Sequence, residues 1–192
     1  MTLEQIDEVL NKEEVTVNQA YLDWEIKTAK DSIQYVRDNG LTNLCIACEE
    51  IAELQQAITK MIRGKGDKRL VTEELADVYL GMRFVNEVYN VHIGIDSLNL
   101  YPFKGDIYSD IKANTSKYSV YEVLRELNHF QNAIFNAIID KDTSNLETIG
   151  NDVLEKLEYL KALYEIDDRD VYKIRNYKMA RLFNRIATKT QI

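Results

Sequence analysis

Apolar residues recur along this chain at intervals of three and four, the spacing that lines one face of an α-helix. Leu70, Val71, Leu75, Val78, Met82 and Val85 follow it and predict a helix from Leu70 to about Val91. A helix from about Thr42 to Arg63 precedes it, and the turn Gly64-Lys-Gly-Asp67 joins the two into a hairpin, 42–91. Upstream, a short N-terminal helix leads into Val15 to Asp38, which reads as helix closed by Asn39-Gly40, because glycine just past a last turn accepts the left-handed conformation. His92 to Lys117 holds the sole proline, Pro102, with Gly94 and Gly105, and is expected to be an irregular connection. Ser119-Val-Tyr-Glu122 and Ser144-Asn-Leu-Glu147 both fit the capping box, in which hydroxyl and carboxylate satisfy the first free donors of a helix, and they predict a second hairpin over 119–165. A last helix, 170–187, opens near Asp167, Asp168 and Asp170 and ends in Lys and Arg, as the helix dipole favours.

The two hairpins align as a weak internal repeat. Leu54-Gln-Gln-Ala-Ile58 matches Phe130-Gln-Asn-Ala-Ile134, and Asp77-Val78 matches Asp152-Val153 at nearly the same offset. The expected fold is all-α: a helical bundle of two pseudo-repeated hairpins, in one domain spanning 1–192. Seven glycines and one proline are too few for the many turns of a β-sandwich or barrel, which supports helix independently of the periodicity.

Charge narrows the partners. Twenty-four Lys and Arg against 32 Asp and Glu leave a net charge of −8, which argues against non-specific binding to nucleic acid or to a membrane surface. No run reaches the roughly 18 apolar residues of a membrane span. The N-terminal residues lack a signal-peptide pattern, so a cytoplasmic protein is expected. Cys45 and Cys48 form a lone Cys-x-x-Cys without a second ligand pair, and both are expected to act as small core hydrophobes.

The candidate chemistry lies in the first hairpin. Glu50 and Glu53 are three apart, as are Glu74 and Asp77, so each pair shares a helix face, and the turn at 64–67 brings the pairs opposite one another. Apolar neighbours flank them: Ile46 and Leu54 around Glu50, Leu70 and Val78 around Glu74. Gly81 stands one turn beyond Asp77 and is expected to leave space there. Half-sunk like charges are costly, so either these carboxylates bind a cation or some are protonated. Oxygen-only ligation suits Mg²⁺ first and Mn²⁺ second. Glu49 and Glu73 are expected to be the more solvated members of their doublets. In the second hairpin the corresponding residues are Glu126, His129, Ile149 and Asp152, so part of the acidic set is missing.

Cys48-Glu-Glu-Ile-Ala-Glu-Leu54, then Glu74-Leu-Ala-Asp77-Val78 after a spacer of about twenty residues, resembles the Glu-Glu-x-x-Glu … Glu-x-x-Asp signature of the all-α NTP pyrophosphatase superfamily, which includes MazG-like enzymes and dimeric dUTPases. The resemblance covers roughly Leu41 to Val91. It implies that Glu50, Glu53, Glu74 and Asp77 coordinate Mg²⁺, with Glu50 or Glu53 taking a proton from water. It also implies cleavage of a nucleoside triphosphate to the monophosphate and pyrophosphate, and a homodimer as the assembly. Phosphate-binding candidates are Lys60 and Arg63 beyond the acids, and Lys178, Arg181 and Arg185 on the last helix, where dipole compensation is the ordinary role of basic residues. Asn18, Tyr21 and Trp24 are candidates for meeting the base, against core packing as their ordinary role. The competing class is a non-catalytic helical nucleotide-binding or regulatory module. A di-iron bundle needs Glu-x-x-His on two helices, and the chain offers at most Glu126-x-x-His129.

Overall fold

The computed structural model describes residues 1–11, 34–95 and 119–189, with side chains up to 182. All regular elements among them are helices: α1 (Leu3–Leu10), α2 (Gly40–Ile62), α3 (Lys68–Tyr89), α4 (Val120–Ile139), α5 (Leu146–Tyr164) and α6 (Asp168–Lys189). None is long and apolar enough to cross a membrane.

The helices pack as their apolar stripes require. Leu44, Ala47, Ile51, Leu54 and Ile58 of α2 bury against Val71, Leu75, Val78, Met82 and Val85 of α3, while Leu127, Phe130 and Ile134 of α4 meet Val153 and Leu157 of α5. α4 also lies on α2, and α6 lies across α3 with α1 beside it. All these side chains belong to one continuous core, to which α1 adds Ile6 and α6 adds Ile174.

Turn chemistry sets the hairpins. Gly64 adopts φ +67°, a left-handed value that glycine takes without strain, and Asp67 caps α3 by accepting from the Arg69 amide at 2.9 Å. At Gly81 the helices of the first hairpin touch closely, since a Cβ there would lie 3.1 Å from Ala47 Cα. The space expected beside Asp77 is therefore filled by α2. Ser119 and Glu122 form the expected capping box at the start of α4.

Other local expectations give way to stronger partners. Ser144 does not cap α5: its amide and hydroxyl both donate to Asp142, Glu147 accepts from the His92 amide, and Asn145 takes the N-cap position without a side-chain bond. Asn39-Gly40 does not end a helix in the left-handed region. Residues 34–38 are helical, Asn39 has φ −113°, and Gly40 is already the first residue of α2, where its missing Cβ makes room for Val88. Cys48 is buried as expected, and burial raises its thiol pKa to about 11, with Cys45 adding to the shift; Cys45 itself is exposed. Of the expected helix from Val15 to Asp38, and of the connection from His92 to Lys117, residues 12–33 and 96–118 lie outside the described residues.

A buried polar knot ties α3, α5 and α6. Lys161, only 2% exposed, pairs with Glu158 at 2.6 Å and with Asp168, and the Tyr79 hydroxyl donates to Glu158 at 3.2 Å. Each charge in it has an opposite partner, which is what makes its burial tolerable.

Candidate metal centre

Glu50 of α2 meets Glu74 and Asp77 of α3, and one carboxylate oxygen from each lies within 4.8 Å of the others. The helical spacing explains the approach: Glu74 and Asp77 stand one turn apart on α3, and the turn at 64–67 returns that face to α2. Glu53, one turn beyond Glu50, is exposed and outside this trio but lines the same cavity of about 290 Å³. α6 closes another side with Lys178, Arg181 and Leu182, and Met1 and Glu73 complete the lining.

Electrostatics mark Glu50 and Glu74 as poorly compensated. Burial, then the neighbouring Asp77 and Glu53, pushes Glu50 up to about 7. The same causes push Glu74 to about 8. Burial raises Asp77 too, although Lys178 opposes it. Glu74 Oε2 is buried and has no hydrogen-bond partner, and an orphaned carboxylate oxygen of this kind carries the cost of lost hydration. Five carboxylates line the cavity against three positive groups, Lys178, Arg181 and the Met1 amine. An oxygen-only donor set with one oxygen left unpaired fits a hard divalent cation.

Glu73 corrects the expectation that it is solvated. It is 3% exposed, and its Oε1 accepts from Lys178 Nζ at 2.9 Å and from the Met1 amine. Its signal in the sequence is the four-residue spacing to Asp77, which stacks the two acids on one face toward α6. Lys178 bridges this pair, donating also to Asp77 Oδ2. Burial works against its charge, but Asp77 and Glu73 outweigh it and raise the Lys178 pKa.

Of the basic candidates, Lys178 and Arg181 reach the cavity. Lys60 and Arg63 do not: they lie exposed at the end of α2, and Lys60 donates to Gln56 at 3.0 Å. The helix carries them past the acids toward the turn, away from α6. The Arg185 side chain, and Asn18, Tyr21 and Trp24, lie outside the described residues. In the second hairpin no acidic cluster forms among the described residues: Asp152 is exposed, Ile149 packs against the core, and Glu126 pairs with Arg125 and His129. No family model, no curated protein and no solved structure matches this chain.

Proposed function

We propose that this protein is a Mg²⁺-dependent nucleoside triphosphate pyrophosphohydrolase, converting a ribo- or deoxyribonucleoside triphosphate and water to the monophosphate and pyrophosphate. The observation that carries the reading is the convergence of Glu50, Glu74 and Asp77 around the orphaned oxygen of Glu74. The resemblance of Glu50 to Asp77 to the NTP pyrophosphatase signature supports it. On the same reading, α2–α3 and α4–α5 are two copies of one hairpin, the second without its acidic set, and the chain works as a homodimer.

Glu50, Glu74 and Asp77 would hold Mg²⁺, or Mn²⁺ in its place, which when bound would supply positive charge against the phosphate oxygens and lower the pKa of water. Glu53 lines the cavity outside that trio, so it is the group placed to orient water and take its proton. The water oxygen bonds to the α-phosphorus, the bond from that phosphorus to the bridging oxygen breaks, and pyrophosphate leaves with the electron pair. Lys178 and Arg181 meet the phosphate oxygens, offsetting the charge that gathers on the departing group.

The test is product analysis after incubation of the purified chain with each common NTP and dNTP in Mg²⁺ or Mn²⁺. Monophosphate and pyrophosphate in equal amounts are expected from at least one of them. Nucleotide binding with no product across the panel would move the chain to the non-catalytic binding class.

A further inference from the structure

Lys178 holds a position that a cation bound at the trio would contest. Its ammonium donates to Asp77, one of the three converging carboxylates, and at 2.9 Å it contacts Glu73, which does not belong to the trio. Two cations at one carboxylate repel each other strongly in a half-buried site, where water screens them poorly. Glu73 is 3% exposed, and if Lys178 swung away altogether its buried carboxylate would keep only the Met1 amine, so it retains the ammonium. Lysine has three donors, and each one released from Asp77 faces the cavity that Arg181 also lines.

We propose that Lys178 is the counter-ion of Asp77 only while no divalent cation is bound, and that on metal binding it keeps Glu73 and exchanges Asp77 for a phosphate oxygen. This rests on the metal site described above. Lys178 therefore weakens metal binding when no polyphosphate is present and strengthens polyphosphate binding once metal is bound, so the two ligands reinforce one another. Glu73 is the positioning residue that keeps the ammonium at the cavity throughout.

The experiment is calorimetric titration of the metal-free full chain with Mn²⁺ alone, in wild type, Lys178→Met and Lys178→Gln, followed by inorganic triphosphate added to the Mn²⁺-loaded proteins. Both variants are expected to bind Mn²⁺ about tenfold more tightly than wild type, and triphosphate about tenfold more weakly. Unchanged or weaker Mn²⁺ binding in the variants, or no Mn²⁺ binding by wild type, would overturn the exchange. Should both variants misfold, the Lys178 ammonium resonance of ¹⁵N-lysine wild type decides it: a shift on adding Mg²⁺ is expected, and an unmoved signal contradicts the proposal. No readout involves turnover. Tighter Mn²⁺ binding without Lys178 in a chain that hydrolyses no nucleotide would uphold the exchange and sink the hydrolase.

Discussion

In the α2–α3 hairpin, Glu50, Glu74 and Asp77 turn their carboxylates toward one another, while in the α4–α5 hairpin the acids at the aligned positions form no such cluster. Glu126 has its own partners, the Arg125 guanidinium at 2.9 Å and the His129 ring nitrogen at 3.0 Å, and Asp152 is solvated. Ile149 stands where Glu74 stands and packs against the core. The consequences for protonation are opposite. Burial and like charge raise Glu50 and Glu74, whereas at Glu126 burial is outweighed by the Arg125 and His129 bonds and the pKa falls. A helical hairpin alone thus does not gather its acids. What sets the first hairpin apart is an excess of inward carboxylates over local positive charge.

The comparison is broken most severely by transplanting the second hairpin's residue type into the first. Glu74→Ile is expected to cut Mn²⁺ affinity on the order of 100-fold, read by titration calorimetry. The same substitution should leave the metal-free fold as stable or up to about 2 kcal/mol more stable in urea unfolding, because it removes a buried, like-charged carboxylate. A metal-free protein strongly destabilised by this change would mean that Glu74 is a structural element.

A backbone contact offers the next test. Gly81→Val would press against Ala47, where even a Cβ lies 3.1 Å from the Cα, and is expected to destabilise by about 1–3 kcal/mol and to weaken Mn²⁺ binding by parting the carboxylates. At the aligned turn of the second hairpin, a like change touches no metal ligand. Denaturant unfolding with and without Mn²⁺ separates the two effects.

The hairpins should also differ in pH dependence. Glu50 and Glu74 titrate near 7 and 8 in the fold against 4.5 in the unfolded chain, so the fold holds more protons between those values. Stability of the metal-free protein is therefore expected to fall as pH rises from about 4.5 to 8, and saturating Mg²⁺ should flatten that slope. Glu126 has the opposite sign: its pKa is lowered, so its contribution is present above 4.5 and is lost as pH falls below that value. Melting temperature against pH for wild type, Glu74→Gln and Glu126→Gln checks both; a neutral-range slope untouched by Glu74→Gln would contradict the assignment. The smallest effect lies at the helix starts, where Ser119→Ala should cost about 1 kcal/mol and Ser144→Ala much less, since Ser144 caps nothing.

Those two serines show where the sequence was legible. Both begin a Ser-x-x-Glu pattern, but Asp142 lies two residues before Ser144 and captures its hydroxyl, while Glu147 is drawn to the His92 amide in another element. The helices themselves were legible because their apolar stripes repeat locally; of the four acids expected to converge, three-residue spacing plus one tight turn brings Glu50, Glu74 and Asp77 together, while Glu53 stands exposed outside the trio. Glu73 was not legible: choosing the inward member of Glu73-Glu74 presumes a single inward face. α3 has two, one toward α2 and one toward α6. Nor could spacing select Lys178 over Lys60, because Lys178 meets Asp77 from 101 residues away through the docking of α6.

The most direct measurement places one substitution at the aligned positions of both hairpins: Mg²⁺-dependent pyrophosphate release from the nucleotide panel by wild type, Asp77→Asn and Asp152→Asn. Release by wild type, a loss on the order of 100-fold in Asp77→Asn and full retention in Asp152→Asn are expected. Equal rates in all three, or release that persists in excess chelator, would contradict a cation site at Glu50, Glu74 and Asp77.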